Sequence, residues 1–526
     1  MTEGGERPRD DVASLLCALS YATGFALGER MEHGLRTAYI GLRIADRLGA
    51  PEADREAAFY GALLKDAGCT AGAAIFSAFF PDDVLVPKLD FMSVDPARLG
   101  DVLGWLGRNV PVDSRFPARV AGLAALFSQW GSVIKEAMAG HCEIAELFAR
   151  RLGFSDQVQR SLRFQWERWD GKGVAYHLRG DRIPLGARIL HAAQMLELVH
   201  SFGGIAAART LARDQRGRRF DPAVADAFLG LADDEHFRTA LEREGTEDEI
   251  LALRPATAAD RVGLRQLDTV CEAIADLIDV KTKRTHRHSR RVGELAASTG
   301  AQLGLRPAEA ARLRRVGLVH DLGMVAVPFG ILAKSEPLAE SERAIYELHP
   351  YYTQRVLERV APLRDLASDA SAHHERLDGH GYHRRLTGEQ LSREARILAV
   401  ADAYARLESA RADRGDGAQQ AALLQDMRDG VGTRFDADAV EALSAALTGA
   451  PARPRAAPRP QAGGLTERET EVLRLAALGL STKEIAAKLV LSAKTVEHHL
   501  EHIYDKLDVT SRTAAVVYAL HEGIAD

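Results

Sequence analysis

An internal repeat constrains this chain more than any other feature, because a duplicated segment folds twice in the same way. The segment ERWDGKGVAYHLRGDRIPLGARIL begins at Glu167, and ERLDGHGYHRRLTGEQLSREARIL begins at Glu375. The two align without a gap at a separation of 208 positions, and both end in Ala-Arg-Ile-Leu. His141 and His349 share that separation. The sequence therefore predicts two copies of one module.

Upstream of this segment the separation between the copies is larger. It is 255 positions for His33 and His288, and the same for Asp66 and Asp321. The difference of 47 residues indicates an insertion in the first copy, between about residues 70 and 140.

The composition favours helices over strands. Aromatic residues make up only 6% of the chain, while the abundant alanine, leucine and arginine favour helix. Apolar positions such as Val292, Leu295, Ala296 and Leu303 recur at roughly helical spacing. We therefore predict an all-α chain, and its 526 residues suggest three or four domains.

Charge and cysteine usage exclude several classes of protein. A net charge of −6 excludes a globally basic nucleic-acid binder, although not a local basic patch. The four cysteines lie far apart with no C-x-x-C motif, which argues against a disulfide framework and a zinc ribbon. The N-terminus lacks the apolar core of a signal peptide, and no run approaches the ~18 apolar residues of a membrane span. We predict a cytoplasmic protein without a membrane partner.

Histidines are concentrated in the second copy. Eight of the chain's eighteen histidines lie between residues 286 and 402, and most stand on segments predicted to be helical. Imidazoles and carboxylates suit divalent iron, manganese, zinc or magnesium, and ligands from several helices can converge to hold two ions. The alternative interpretation is that these are ordinary core or surface histidines. The candidate metal ligands are His288, His320, Asp321, His349, His373, His374 and Asp402.

This pattern resembles the HD superfamily of phosphohydrolases, and specifically its HD-GYP branch. The resemblance rests on HSRRV at 288–292, HDLG at 320–323, HP at 349–350, HHERLDGHGY at 373–382 and ARILAVADAY at 395–404. It covers about 150 residues, 280–440, and the long HHERxDGxGY motif makes it specific. It implies an all-α domain that holds two divalent ions, iron, manganese or magnesium in preference to zinc. It also implies hydrolysis of a phosphoester, typically cyclic di-GMP, with His320 and Asp321 as catalytic residues.

Two positions depart from that family. The lysine of HDxGK, which helps bind the substrate phosphate, is Met324 here, and a thioether carries no charge. The proline of GYP is His383. Three arginines are candidates for binding phosphate bidentately, namely Arg376, Arg384 and Arg385. The alternative is that they belong to a solvated loop. The alternative to a phosphohydrolase is therefore a non-catalytic domain that senses metal or nucleotide.

The first copy has lost most of these ligands. The aligned positions are His33, Lys65, Asp66, His141, Gln165, Trp166 and Gln194. Lys65 places a cation where a metal cation belongs, so we predict no metal pair there. Because the glycine-containing turns persist, this copy is predicted to be a degenerate HD-like domain, kept for packing or dimerisation or for sensing a ligand.

The C-terminal segment, 465–520, has a helix-turn-helix pattern. A helix ending near Leu489 is followed by a longer one from Ala493 to Leu507, with Ser492 as its cap. The segment resembles the LuxR-type DNA-binding domain, with TERE, GLSTKEIA, TVEHH, IYDKL and SRTAA in order. The resemblance implies a four-helix domain that binds DNA as a dimer; the alternative is a protein-binding helical domain. The candidate DNA-contacting residues are Lys483, Lys494, Thr495, Glu497, His498, Glu501, Lys506 and Arg512.

Together these features predict a transcriptional regulator that carries a metal-dependent phosphohydrolase or sensor domain. Its expected partners are DNA, cyclic di-GMP or another nucleotide, and a second copy in a homodimer. The predicted domains are a tail at 1–11, the degenerate HD-like domain at 12–235, a connector at 236–262, the HD-GYP-like domain at 263–450, a linker at 451–464 and the LuxR-type domain at 465–526.

Overall fold

The structure, a computed structural model, describes most of both copies and the core of the C-terminal segment. The described residues are 12–27, 30–68, 138–257 without Val174 and Glu244, 264–280, 287–334, 337–412, 420–449, 467–477, 480–489 and 491–507, with the single positions 100, 104, 135, 465, 509, 515 and 519. The predicted tail, almost all of the insertion and the linker lie outside them. Within the described ranges, no helix combines the length and apolarity needed to cross a bilayer.

The described residues are helical, and their only β pairing consists of three isolated bridges. The predicted all-α fold is confirmed. The first copy contains α1 (Val12–Leu27), α2 (His33–Arg47), α3 (Glu52–Leu64), α4 (138–151), α5 (Asp156–Arg163), α6 (Leu185–Gln215), α7 (Pro222–Ala232), α8 (Glu235–Glu242) and α9 (Glu247–Ala252). The second contains α10 (Leu264–Val280), α11 (His288–Gln302), α12 (Pro307–Val319), α13 (Phe329–Leu332), α14 (Glu340–Tyr346), α15 (His349–Arg359), α16 (Ala367–Ala370), α17 (Arg393–Ala412), α18 (Gln420–Asp429) and α19 (Ala437–Thr448).

Short 3-10 helices and turns connect these elements. The 3-10 helices span Gly180–Arg182, Leu322–Ala326 and Ala361–Leu366. The helix α6 is interrupted at Gly204. Its φ of 69° lies in the left-handed region, which glycine adopts readily because it has no side chain.

The two copies repeat the same helices at the separations found in the sequence. The helices α2 and α3 begin 255 positions before α11 and α12, and α6 begins 208 positions before α17. The helices α7 and α19 both start after an aspartate cap: Asp221 accepts from the backbone N–H of Ala223 at 2.8 Å, and Asp436 from that of Ala439 at 3.1 Å. Each cap follows a turn closed by an isolated bridge, Arg216 with Phe220 and Val431 with Phe435.

The helix α1 joins the two copies. Its side chains from Val12 to Gly24 are buried almost throughout. It packs on α2 and α3 of the first copy and on α15 and the 3-10 helix Leu322–Ala326 of the second. Both copies therefore share one apolar core, and the chain divides into two compact units, Met1–Pro451 and Ala452–Asp526.

The second unit contains α20 (Glu467–Ala477), α21 (Thr482–Leu489) and α22 (Ala493–Leu507), with the ends that the sequence predicts for the last two. Ser492 caps α22 by accepting from the backbone N–H of Thr495 at 3.1 Å. Ser481 caps α21, and its own backbone N–H donates to Glu484 at 2.7 Å. Val496, Leu500 and Ile503 of α22 belong to the buried core of this unit.

Candidate metal centre

The predicted ligands of the second copy converge from separate elements. His288 is the first residue of α11 and His349 the first of α15, while His320 and Asp321 directly follow α12. Asp402 lies in the middle of α17. His373 and His374 lie in the turn after α16, and none of the seven side chains is more than 10% exposed.

Asp321 lies between two groups of histidines. Its Oδ2 is 3.3 Å from His320 Nε2 and 3.8 Å from His288 Nε2. Its Oδ1 is 3.3 Å from both His349 Nε2 and His373 Nε2. One carboxylate thus faces both groups of histidines.

Asp402 and His374 complete the two groups. Asp402 Oδ1 lies 3.1 Å from His288 Nε2 and 3.7 Å from His320 Nε2. His374 lies beside His373 and His349, with ring centroids 4.2 and 5.0 Å apart. Within His288–His320–Asp321 and within His349–His373–His374, the potential ligand atoms all lie within 4.8 Å of one another.

Backbone carbonyls fix the orientation of three of these rings. The Nδ1–H groups of His320, His349 and His373 each donate to the carbonyl oxygen three residues earlier, at 2.7 Å. Such a hydrogen bond fixes the orientation of the ring and turns its Nε2 toward the centre.

Two further contacts hold the elements that carry the ligands. The carboxylate of Asp279 accepts from the backbone N–H and hydroxyl of Ser289, at 3.0 and 2.7 Å, and so anchors the start of α11 beside His288. Thr353 of α15 accepts from the backbone N–H of Gly323 and donates to the carbonyl of His320, both at 2.9 Å. A Cβ on Gly323 would lie 2.0 Å from the carbonyl oxygen of His349, so only glycine permits this close approach.

The electrostatics of the centre favour a bound cation. Burial alone would raise the pKa of Asp321, but His320 and the neighbouring rings hold it well below its usual value. Burial disfavours the imidazolium of His320, yet the carboxylates of Asp321 and Asp402 raise its pKa to about 10. Two ionised, buried carboxylates beside nitrogen lone pairs are a donor set that fits divalent metal ions.

A cleft opens beside this centre. It has a volume of ≈ 400 Å³ and is lined by Glu347, Gly379, His380, Gly381, Tyr382 and Arg385. The ring of Tyr382 packs against that of His374, with centroids 4.6 Å apart. Through Tyr382 the cleft therefore borders one of the two ligand groups.

A buried glutamate shapes the loop that lines the cleft. The carboxylate of Glu375 accepts from the backbone N–H groups of Arg384 and Leu386, at 2.8 and 2.9 Å. In the first copy Glu167 does the same for Tyr176 and Leu178, at 2.9 and 2.7 Å. The repeat in the sequence is thus a repeat of one loop architecture.

The three arginines predicted to grip phosphate have different surroundings. Arg385 lines the cleft. Arg376 binds Asp378, with Nε 2.9 Å from Oδ1, and Arg384 donates to the carbonyl of Ser368 at 3.0 Å. A phosphate-binding role for the three stays a prediction, and Arg385 is the best placed of them.

Arg406, one helical turn after Asp402, is a further residue of this centre and was not among the predicted ones. Its Nη2 lies 2.7 Å from Asp402 Oδ2, and its Nη1 lies 3.1 Å from His374 Nδ1. The i, i+4 spacing on α17 is the signal that could have revealed it.

In the first copy a lysine stands at one of the ligand positions, and a glutamate outside the aligned positions binds a histidine. The ammonium of Lys65 binds Asp66, and His33 forms a buried ion pair with Glu197. Glu197 is fully buried and stands three residues after Gln194, which aligns with Asp402. Glu197 is the only carboxylate in the apolar stretch 185–213, and this isolated charge is the sequence signal that could have identified it.

The remaining aligned positions of the first copy hold amide and aromatic side chains. Gln165 donates to the carbonyl of Lys65 at 3.3 Å, and Gln194 donates to the carbonyl of Gln165 at 3.4 Å. The Trp166 ring packs edge-on against His141, with centroids 6.3 Å apart.

In the C-terminal unit, most predicted DNA contacts share an exposed surface. Lys483 of α21 is exposed, as are five side chains of α22: Lys494, Thr495, Glu497, His498 and Glu501. Lys506 differs, because its Nζ lies 2.7 Å from Glu469 Oε2 and ties α22 to α20. Arg512 lies outside the described residues. DNA contact by this set stays a prediction.

Comparisons with known proteins match both parts of the chain. Residues 272–439 match the family described as HD domain, and residues 464–519 match bacterial regulatory proteins of the luxR family. The chain is 29% identical over 436 residues to "3'3'-cGAMP-specific phosphodiesterase 3" of Vibrio cholerae, covering 83% of this chain and 94% of that protein. It is 32% identical over 208 residues to "Cyclic di-GMP phosphodiesterase response regulator RpfG" of Xanthomonas campestris, covering 38% and 54%.

A solved structure supports the same assignment. The crystal structure titled as cyclic GMP-AMP specific phosphodiesterases in V. cholerae (V-cGAP3) matches with a TM-score of 0.57 and 25% identity, covering 83% of this chain and 98% of that one. The chain therefore contains an HD domain and a C-terminal luxR-family domain, as the two resemblances predicted. Because the Vibrio relative aligns over 436 residues, its likeness extends beyond the HD domain into the first copy.

Proposed function

We propose that the HD domain hydrolyses a phosphodiester bond of a cyclic dinucleotide with two divalent metal ions. The observation that carries this proposal is Asp321, whose two oxygens face two separate groups of histidines. Ions bound there supply Lewis acidity and activate water for attack on phosphorus. The chain's own residues orient the ligands through Nδ1–H···O=C hydrogen bonds, and the cleft beside Tyr382 and Arg385 receives the nucleotide.

The comparisons favour a particular substrate class. The relative that aligns over 436 residues is named as specific for 3′3′-cGAMP, and shorter alignments reach proteins named for cyclic di-GMP. We therefore place 3′3′-cGAMP first and cyclic di-GMP second among the substrates to test.

The test is a turnover assay with protein loaded with manganese or ferrous iron. Substrates are 3′3′-cGAMP, cyclic di-GMP and a simple phosphodiester, with linear products separated by chromatography. The variant is His320→Ala/Asp321→Ala, and the matched control is His236→Ala, which replaces an exposed histidine of the first copy. We expect the control to keep and the double variant to lose turnover. Turnover that survives in the double variant would contradict the proposal.

A second candidate function is that of a sensor, which binds a cyclic dinucleotide without cleaving it. Met324 favours it, because its side chain carries no charge where the family has a lysine. Saturable binding of 3′3′-cGAMP to the metal-loaded protein, with no linear product after prolonged incubation, would select this alternative.

For the C-terminal unit, the proposed function is binding to DNA as a homodimer in the cytoplasm. The support is the exposed surface of α22, where Lys494 and Thr495 begin a helix of the length that enters a major groove. Selection from a random duplex library should enrich a two-fold symmetric site. Lys494→Ala should weaken binding to it, whereas Lys488→Ala, an exposed lysine on α21, should not.

A further inference from the structure

Arg406 is the cation that borders the candidate metal centre. Among the described residues, no other lysine or arginine forms an ion pair with any of the seven candidate ligands. Its Nη2 lies 2.7 Å from Asp402 Oδ2, and its Nη1 lies 3.1 and 3.2 Å from the two ring nitrogens of His374. A guanidinium cannot lose its charge at any physiological pH, so the positive charge here is permanent.

The exposure of this side chain separates it from its partners. The Arg406 side chain is 41% exposed, whereas that of Asp402 is 1% exposed and that of His374 6%. Part of the Arg406 side chain therefore reaches solvent, beside two ligands that are buried. A cation needed only to neutralise Asp402 would be better placed inside, as Lys65 is beside Asp66 in the first copy, with 3% of its side chain exposed.

The contacts of Arg406 leave donors for a ligand. A guanidinium has five N–H groups in a planar fork, and those of Arg406 contact three partners: Asp402, His374 and the side chain of Tyr346. Metal ions held by Asp402 and His374 would occupy lone pairs that Arg406 contacts, and would thereby free further donors. An anion that approaches from the cleft beside Tyr382 meets this charge next to the ligands, because Tyr382 packs on His374.

We infer that Arg406 binds a non-bridging oxygen of the substrate phosphodiester. This inference rests on the proposed function and adds a residue to it. Guanidinium binds phosphate oxygens bidentately and strongly in partly desolvated sites. The chain thereby gains, from α17, a positive charge that the thioether of Met324 does not provide.

The experiment compares the full-length, manganese-loaded protein with Arg406→Ala and Arg406→Lys. The matched control is Arg411→Ala, on the same helix, whose guanidinium lies 2.6 Å from Asp426 and away from the centre. Three quantities are measured: bound manganese per chain by mass spectrometry, kcat and KM with 3′3′-cGAMP, and the affinity for inorganic phosphate from broadening of its phosphorus resonance.

Arg406→Ala should retain at least the wild-type manganese content. It should also weaken phosphate binding and lower kcat/KM by roughly 10- to 100-fold, the range for a hydrogen bond to a charged group. Arg406→Lys should recover part of both losses, since a lysine keeps the charge but not the fork. Arg411→Ala should match the wild type in all three measurements.

Two results would overturn the inference. One is unchanged phosphate affinity in a folded, manganese-loaded Arg406→Ala protein. The other is loss of manganese in that variant with no change in KM, which would make Arg406 a support for the ligands only. If the wild type cleaves no cyclic dinucleotide but the phosphate affinities differ as expected, the proposed reaction fails and the role of Arg406 stands.

Discussion

At the scale of single residues, the two copies neutralise their buried carboxylates in different ways. Each buries carboxylates, and a buried carboxylate requires a positive partner. In the second copy the carboxylates of Asp321 and Asp402 face a ring of imidazoles that fits metal ions. In the first copy Lys65 binds Asp66 and His33 binds Glu197, so the charges are balanced without an ion.

This balance makes the first copy sensitive to the loss of Glu197. Glu197→Gln leaves His33 buried beside an uncharged amide, and breaking a buried ion pair typically costs about 3–5 kcal/mol. We expect the variant to lose about that much free energy of unfolding in denaturant titrations at pH 7. Its manganese content should equal that of the wild type. A variant as stable as the wild type would show that the pair contributes nothing.

The same pair predicts a pH dependence. Burial alone would raise the pKa of Glu197, but His33 and Ser201 hold it below its ordinary value of 4.5. A lowered folded-state pKa stabilises the fold above pH 4.5, and this contribution disappears as the pH falls through the folded-state pKa. The difference in stability between wild type and Glu197→Gln should therefore be full at pH 7 and shrink below pH 4.5. A difference that grows on acidification would contradict the assignment.

At the scale of elements, the duplicated loop offers a matched pair of substitutions. Glu375→Gln and Glu167→Gln each weaken a carboxylate that accepts two backbone N–H groups, so each should cost about 1–3 kcal/mol of stability. Only the loop after Glu375 lines the cleft with Tyr382 and Arg385. Glu375→Gln alone should therefore raise KM, or weaken nucleotide binding, in titrations with 3′3′-cGAMP. Equal effects of the two variants on KM would refute this division of roles.

The close approach of the turn after α12 to α15 gives a second matched pair. A Cβ on Gly323 would lie 2.0 Å from the carbonyl oxygen of His349, and one on Gly68 would lie 2.0 Å from that of His141. Overpacking of this kind costs about 1–3 kcal/mol or more, so Gly323→Ala and Gly68→Ala should both lower the unfolding midpoint. Gly323→Ala should also weaken manganese binding, because it moves His349 away from Asp321. The prediction fails if calorimetric titration gives both variants the wild-type affinity.

At the scale of the whole molecule, metal should stabilise one unit and not the other. The chain has two compact units, and the candidate ligands all lie in the first, Met1–Pro451. A ligand that binds only the folded state at 100 times its Kd adds about 2.7 kcal/mol. Chelation should therefore lower the melting temperature of the first unit in calorimetry and leave a second transition, from Ala452–Asp526, in place. A shift of both transitions would indicate that the metal acts beyond the first unit.

Much of this arrangement was predictable from sequence because it depends on local spacing. The ends of α21 and α22 follow from cap residues such as Ser492, and the paired starts of α2 and α11 follow from the repeat. The order of the motifs predicts that His288, His349 and the pair His320-Asp321 converge. The role of Glu197 did not follow, because its partner His33 lies on another helix. For Arg406 the spacing to Asp402 was visible in the sequence, but the contact with His374 depends on the packing of another element.

The sequence by itself determined the all-α fold, the duplication and the positions of the candidate ligands, since helix periodicity, turn residues and motif spacing are properties of neighbouring residues. Only the tertiary structure decided which atoms meet. It placed α1 in one core with both copies, turned the two oxygens of Asp321 toward different histidines, and brought the guanidinium of Arg406 against His374. These contacts join residues up to hundreds of positions apart, and packing of apolar faces, rather than any local pattern, brings them together.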